Sequence, residues 1–341
     1  MTESSRDFLR KLQSFPRKAL GFFPTPLVAL PSWLPGKTPE IYVKRDDLTG
    51  LALGGNKTRK LEFLVGEAQR LGADTLITGG ALQSNHCLQT AAAAARSGLS
   101  CHLALSGSQP PSLTGNALLD TLFGASLHYH GALRKGEGME KMSQELTLQG
   151  KNPYVIPYGG SNAVGGLGFV AAGLELWEQL AGLPKKRNHV VIATSSSGTQ
   201  AGLLAAQVLF DMPIEVRGIG IDKEDFQNDQ LKQRITKLTR ELTGLFTSRE
   251  YDLPQINLYD GVLGEGYGVV GEPERNALSL AATRLGLLLD PVYTGRAFAG
   301  LAELLEQEVF SPEDRVIFWH TGGVPAVFHY GPSLLLAGTG P

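Results

Sequence analysis

The chain predicts an α/β fold built on a mainly parallel sheet. Short β-rich runs alternate with helix-periodic segments nearly throughout its 341 residues, the pattern of repeated strand–helix–strand units. Val190-Val191-Ile192 is continuously apolar, as a strand covered by helices on both faces must be. The 42 glycines fall mostly between apolar runs rather than in low-complexity tracts, which marks many short turns.

The elements follow in order. Ile41 to Lys44 is a predicted strand. After it, Leu61, Leu64, Val65, Ala68 and Leu71 recur at helical spacing, with Asn56 as an N-cap and Gly72 as the stop. Thr75 to Thr78 reads as a strand and Cys87 to Arg96 as an alanine-rich helix closed by Gly98. Cys101 to Leu105 is a strand, Leu118 to Phe123 lies in a helix ending at Gly124, and Leu127 to Tyr129 is a strand. A helix over Glu140 to Gln149 and a short strand over Tyr154 to Pro157 come next. Gly168 to Leu180 is a helix leading to the Val190 strand, which runs through Thr194-Ser195-Ser196-Ser197-Gly198-Thr199 into a helix over Gln200 to Phe210. Strand Glu215 to Ile219, helix Asn228 to Leu242, strand Ile256 to Tyr259, helices Glu274 to Leu285 and Arg296 to Gln307, and strand Val316 to Trp319 complete the alternation.

A net charge of -2 with no basic block leaves no footprint for nucleic acid. Met1 to Phe15 scatters charges among its apolar residues, unlike a signal peptide or anchor, and no apolar run reaches the length of a membrane span. Cys87 and Cys101 are the only cysteines, too few for a disulfide framework or a cysteine-built metal site, so a reducing cytoplasm is the expected compartment. The size allows two domains, or one with a large insertion. There is no internal repeat.

The chemistry concentrates in the loops. Gly54-Gly55-Asn56-Lys57 puts a lysine in the first turn of a helix, where the dipole and any burial disfavour an ammonium and expose a nucleophilic amine. Such a lysine suits a Schiff base with a carbonyl cofactor; the plainer reading makes Lys57, Arg59 and Lys60 a solvated basic face. The turn from Ser196 through Ser197 and Gly198 to Thr199 offers N–H groups and hydroxyls to a phosphate, or is an ordinary polar cap. Ser84-Asn85-His86 follows another strand, where open α/β sheets bind ligands, though Ser84 or Asn85 as a cap and His86 as a structural histidine are equally simple. Asp290-Pro291-Val292-Tyr293-Thr294-Gly295, His320-Thr321-Gly322-Gly323 and the Tyr267 loop also qualify, and together such loops at one sheet edge would form one site.

Competing motifs fail. Asn56 intrudes before Lys57, breaking a P-loop string, and Gly166-Leu167-Gly168 lacks the strand and acid of a dinucleotide fingerprint, so it reads as helix packing. No histidine or acid spacing supports a metal site.

Taken in order, Gly-Gly-Asn-Lys57-Thr-Arg-Lys-Leu-Glu, Gln83-Ser-Asn-His86, Ser197-Gly198-Thr199, Asp290-Pro-Val-Tyr-Thr-Gly295 and His320-Thr-Gly-Gly323 resemble the D-cysteine desulfhydrase and 1-aminocyclopropane-1-carboxylate deaminase family. The resemblance runs from about Pro24 to Tyr330. It implies the tryptophan synthase β-like fold (pyridoxal-phosphate fold type II): two three-layer α/β/α domains with mainly parallel sheets. Residues 1–57 and 166–341 would form the larger, cofactor-binding domain, and 58–165 the smaller inserted one. It also implies pyridoxal 5′-phosphate, a small amino-acid substrate and a homodimer.

By the same resemblance, Lys57 would hold the cofactor aldehyde and move the α-proton. Asn85 would bond the ring hydroxyl, and Ser196, Ser197, Gly198 and Thr199 would hold the phosphate. Ser84 would take the substrate carboxylate with Asn85 and His86 close by, Tyr293 would lie at the ring and Tyr267 near the substrate, with Thr294 and Thr321 completing the cofactor site. His86, Thr294 and Thr321 stand where the cyclopropane deaminases carry Gln, Glu and Leu, which favours the desulfhydrase branch. A neutral Thr294 would make a weaker electron sink than a glutamate, adequate for a readily leaving thiolate. Leu88 replaces a customary arginine, a change bearing on substrate charge, and Arg296 replaces a lysine. The implied reaction is α,β-elimination from a cysteine-like amino acid, chiefly D-cysteine; the cyclopropane substrate, cysteate and a non-catalytic sensor are the rivals.

Overall fold

In the computed structural model, which describes residues 3–133 and 135–335, the alternation resolves into two sheets. The chain opens with helix α1 (Glu3–Ser14) and the short strand β1 (Leu27–Ala29), then β2 (Glu40–Arg45) and α2 (Lys57–Arg70). Next come β3 (Thr75–Gly80), α3 (Asn85–Ser97), β4 (Ser100–Leu105), α4 (Gly115–Leu122), β5 (Ser126–Tyr129), α5 (Met139–Leu148) and β6 (Pro153–Val155). The long α6 (Ala163–Leu180) leads to β7 (Asn188–Thr194), α7 (Gly198–Phe210), β8 (Ile214–Gly220), α8 (Gln230–Gly244) and β9 (Asn257–Tyr259). Helices α9 (Glu272–Leu285) and α10 (Thr294–Glu306), strand β10 (Arg315–His320) and α11 (Pro325–Leu334) end it.

The larger sheet has the order β1-β2-β10-β7-β8-β9 and the smaller β5-β4-β3-β6. Every pairing is parallel except that of β1 with β2. All strands of the smaller sheet come from the segment between β2 and β7. The Ser84–His86 turn therefore follows a strand of the smaller sheet, and the Ser195–Thr199 turn one of the larger. Polar loops expected at the edge of one sheet belong to two.

The larger sheet is buried on both sides. Val190 and Ile192 face a cluster with α6, α7 and α8, while Val191 faces a second with α9 and α10. That two-sided covering is why β7 is continuously apolar. The α2 residues Leu61, Leu64, Val65 and Ala68 pack into the core of the smaller sheet with Leu76, Ala91 and Leu103. The opposite side of α2 meets α6: a Cβ on Gly168 would lie 2.2 Å from the Arg59 carbonyl oxygen. The glycines of 166–168 thus serve close helix packing.

Arg59 and Lys60 are buried, at 3% and 0% exposure, so the solvated-face reading fails. Arg59 is paired with Asp46 (2.8 Å) and Glu175 (2.9 Å), and Trp319 Nε1 also donates to Asp46 at 2.8 Å. This buried network ties β2, α2, α6 and β10 together beneath the cleft. A buried charge is tolerated only with such partners.

Candidate functional site

Loops that follow the carboxyl ends of β2, β3, β7 and β10 converge on one cleft. Lys57, Ser84, Asn85, His86, Ser196, Ser197, Thr199, Tyr293 and Thr321 line it. Most of the residues singled out from separate loops are therefore neighbours. Gly198 sits inside the 195–199 turn, whereas Tyr267 and Thr294 lie just behind Tyr293.

The bend before Lys57 requires its glycines. Gly54 has φ +82, and a Cβ there would lie 1.8 Å from the Asp47 carbonyl oxygen; Gly55 has φ +138, with Gln89 Nε2 2.1 Å from its would-be Cβ. The chain can thus pass against Gly322, and Asn56 N–H donates to the Thr321 carbonyl (3.0 Å). Asn56 is not the expected side-chain cap. It has helical φ/ψ and no capping bond; instead its Nδ2 reaches across the cleft to Thr199 Oγ1 at 3.1 Å. A long-range partner has outcompeted the local one.

Lys57 opens α2 with its amine in the cleft, and no hydrogen bond or ion pair holds it among the described residues. Burial pushes its pKa down to about 8, because an unpaired ammonium is poorly solvated there. One turn on, Lys60 is fully buried and donates to the Gly159 carbonyl (3.0 Å) and Ser161 Oγ (3.1 Å). Burial, then the Lys57 charge, holds its pKa well below the ordinary value. No carboxylate is within ion-pair reach of Lys60 among the described residues.

Lys60 connects to the serine-rich turn through Ser161, whose Oγ donates to Ser196 Oγ (2.9 Å) and accepts from Gly198 N–H (3.3 Å). A Cβ on Gly198 would lie 2.6 Å from Ser161 Oγ and 2.8 Å from Lys60 Nζ. Ser197 takes φ +73, a conformation costing about 1–3 kcal/mol for a non-glycine residue. The first-turn N–H groups of α7 have no carbonyl one turn behind them and present a partial positive charge. Ser195 is tied back through Oγ to Asp225 (3.2 Å), which also pairs with Arg234 (2.7 Å). The remaining first-turn N–H groups of α7, hydroxyls and a lysine without a counter-ion among the described residues make a seat for an anion such as phosphate. Lys60 was missed from the sequence, although its three-residue spacing from Lys57 puts both on one helix face.

Ser84 caps α3, its Oγ accepting from Cys87 N–H at 3.2 Å; its own hydroxyl hydrogen remains available. The N–H groups of Asn85 and His86 are first-turn donors of the same helix. His86 Nε2 lies 3.0 Å from Thr78 Oγ1, which donates its one hydrogen to the Ile156 carbonyl at 3.0 Å. Nε2 must therefore carry the proton, leaving Nδ1 as a bare acceptor, buried and without a partner among the described residues. Burial, with the charges on Lys57 and Lys60, drives the His86 pKa well below its ordinary value. The ring is neutral. Leu88 is 2% exposed and outside the cleft lining.

The last wall comes from the start of α10. The Asp290 carboxylate accepts from the N–H groups of Val292 (3.0 Å), Tyr293 (2.9 Å) and Thr294 (2.8 Å) and from Thr294 Oγ1 (2.8 Å). The Thr294 hydroxyl also accepts from Asp290 N–H at 2.7 Å; its visible work is to brace the turn that projects Tyr293. Tyr293 Oη meets Tyr267 Oη at 2.5 Å. Arg296, fully buried, pairs with Glu274 (2.5 Å) and donates to the Gly266 and Val269 carbonyls at 3.2 Å each, so its fork fixes the loop that delivers Tyr267.

Comparison with known proteins matches residues 18–322 to a family described as pyridoxal-phosphate dependent enzyme. A D-cysteine desulfhydrase of Klebsiella pneumoniae (strain 342) is 42% identical over 332 residues, covering 96% of this chain and 99% of the relative. One from Salmonella choleraesuis (strain SC-B67) is 40% identical over 330 residues, with 95% and 99% covered. Among solved structures, one described as an ACC deaminase homologue superposes with a TM-score of 0.87 at 36% identity, covering 98% of this chain and 99% of that one.

Proposed function

The chain belongs to the pyridoxal-phosphate-dependent enzymes, and from that premise we propose that it catalyses α,β-elimination from a cysteine-like amino acid, converting D-cysteine to pyruvate, ammonia and hydrogen sulfide. The observation that carries the reading is one lysine without a partner among the described residues, its pKa lowered to about 8, sharing a cleft with a strained turn suited to an anion. The residues fit the cofactor. A Cβ on Gly198 would collide with Ser161 and Lys60, and Lys60 is a buried cation for which a phosphate would supply the missing counter-charge.

When bound, the cofactor supplies an electron sink for cleavage at the carbon bearing the substrate amine. Ser196, Ser197, Gly198 and Thr199, backed by Lys60, would hold the phosphate; Asn85 would donate to the ring hydroxyl; Tyr293 and Thr321 would bound the ring, with Thr294 bracing Tyr293 through Asp290. Lys57 would hold the cofactor's aldehyde end and, as a free amine, would take the proton from the substrate Cα. The Ser84 hydroxyl and the first N–H groups of α3 receive the substrate carboxylate. His86 would offer a neutral acceptor to a hydrogen-bearing group of the substrate, and Tyr267 would adjust Tyr293 on the substrate side. Two branch-distinguishing residues, His86 and Thr321, line the cleft, which supports elimination of a thiolate over cyclopropane opening. The buried Leu88 leaves its position without a charge to select a sulfonate.

We assign the inserted unit to 58–165, with 1–57 and 166–341 as the larger one. A homodimer in the cytoplasm follows from the same family reading and agrees with two buried, unpaired cysteines. No helix among the described residues is long and apolar enough to cross a membrane.

A panel of D- and L-cysteine, β-chloroalanine, D-serine, cysteate and the cyclopropane acid, scored for keto acid with Lys57→Ala as control, tests the reading. Sulfide and pyruvate from D-cysteine, lost in Lys57→Ala, are expected. Turnover surviving in Lys57→Ala rejects the mechanism, 2-oxobutanoate as main product moves the chain to the deaminase branch, and no product from any substrate favours a sensor.

A further inference from the structure

The polarity that Asn85 shows to the cleft is decided one residue further back. Asn116 is fully buried in the first turn of α4. Its side-chain nitrogen lies 2.8 Å from the Gln83 backbone carbonyl oxygen and 2.8 Å from Asn85 Oδ1. A backbone carbonyl only accepts hydrogen bonds, so the Asn116 atom facing it must be the NH2 group. That NH2 spends its second hydrogen on Asn85, so the Asn85 atom facing it must be oxygen. The amide NH2 of Asn85 is left pointing away, next to Gly323, where a Cβ would approach it to 2.6 Å. Asn85 lines the cleft, and among the described residues no acceptor is hydrogen-bonded to that NH2.

Asn116 is itself held. Its backbone N–H donates to Gln83 Oε1 (2.8 Å), while Gln83 Nε2 donates to the Thr114 carbonyl (3.0 Å). The Asn116 oxygen is buried without a partner among the described residues, a cost that a residue kept only for packing would avoid. Both of its amide hydrogens are used, and its acceptor is sacrificed to that arrangement.

We infer that Asn116 is a positioning residue: by fixing the orientation of the Asn85 amide, it makes the cleft a hydrogen-bond donor where the cofactor's ring oxygen would rest. The inference rests on the cofactor reading above and adds to it the residue that sets the polarity of that contact.

The test is a double-mutant cycle on the full chain freed of cofactor and titrated with pyridoxal phosphate, following its absorbance. Asn85→Ala and Asn116→Leu should each weaken binding about tenfold, the scale of one lost hydrogen bond. Adding Asn116→Leu to Asn85→Ala should cost less than about twofold more, and the bound cofactor's long-wavelength band should shift in the same direction in both single variants. A repeated tenfold loss in the Asn85→Ala background overturns the inference, because Asn116 then acts through general packing. So does wild-type affinity with an unshifted band in Asn116→Leu. Should Asn116→Leu fail to fold, Asn116→Ser, which keeps one donor, runs through the same cycle under the same criteria. A wild-type chain that binds no pyridoxal phosphate overturns the cofactor reading together with this one, whereas failure confined to Asn116 leaves that reading standing.

Discussion

The two walls of the cleft solve opposite problems. On the smaller-sheet side the polar groups are engaged from behind: Ser84 caps its helix, His86 Nε2 is bonded to Thr78, and Asn85 Oδ1 is bonded to Asn116. Each keeps one function facing the cleft, of fixed type. On the larger-sheet side the 194–199 turn is only partly held: Ser195 donates to Asp225, and Ser196 and Thr199 accept from Ser161 and Asn56, but Ser197 sits at φ +73 and the Thr194 hydroxyl is buried with no partner among the described residues. A satisfied wall discriminates between ligands by hydrogen-bond polarity, while an unsatisfied one gains its stabilisation only when an anion arrives. The first would meet the substrate and, through Asn85, the cofactor ring; the second would seat the cofactor's anionic end, which never leaves.

The largest effect is expected on the open wall. Gly198→Ala pushes a methyl group against Ser161 and Lys60, so it should weaken affinity for pyridoxal phosphate about ten- to a hundredfold. Titration of the cofactor-free variant measures this, and inorganic phosphate should lose its competition in parallel. Unchanged binding would mean that the anion does not sit in this turn, and the contrast between walls would lose its basis.

A smaller change, of about tenfold, is expected from pH at the junction of the walls. Lys57 has its pKa lowered to about 8 by burial, and only the neutral amine attacks a carbonyl. The neutral fraction therefore rises as pH increases through 8. Capture of pyridoxal phosphate by the cofactor-free chain, followed by stopped-flow absorbance, should accelerate about tenfold from pH 7 to 9 and then flatten. Acceleration continuing beyond pH 10 would show an ordinary, solvated lysine.

Much of this was legible in the sequence because it is local. The strands and long helices follow hydrophobic period, and the Gly54-Gly55, Ser197-Gly198 and Asp290 to Gly295 turns announce themselves by residue type. Three elements toward the chain ends escaped: α1, whose charged residues mask the buried Phe8 and Leu12; β1, only three residues long; and α11, interrupted by Pro332. The partners across the cleft were invisible for a different reason. Nothing near Asn56 points to Thr199, nothing near Asn85 to Asn116, and nothing near Arg296 to Gly266; each pair is made only when distant segments meet. Lys60 lies between these cases, since helical spacing already placed it beside Lys57.

The smallest expected effect tests the closed wall. In Thr78→Val the hydroxyl that accepts from His86 Nε2 is lost while the shape is nearly kept, so a buried N–H is left unsatisfied at a cost of about 1–3 kcal/mol. The ring can respond by moving its proton to Nδ1, which replaces the acceptor facing the cleft with a donor. Substrate KM should then rise about threefold, with cofactor affinity within about twofold of wild type, because the role proposed for His86 is toward the substrate. Steady-state kinetics alongside cofactor titration separate the two quantities. If cofactor affinity instead falls as far as in Gly198→Ala, the walls are one coupled unit and the division of labour between them is wrong. A KM change alone would show that polarity set from behind, by a residue that never touches the ligand, is how this wall recognises its substrate.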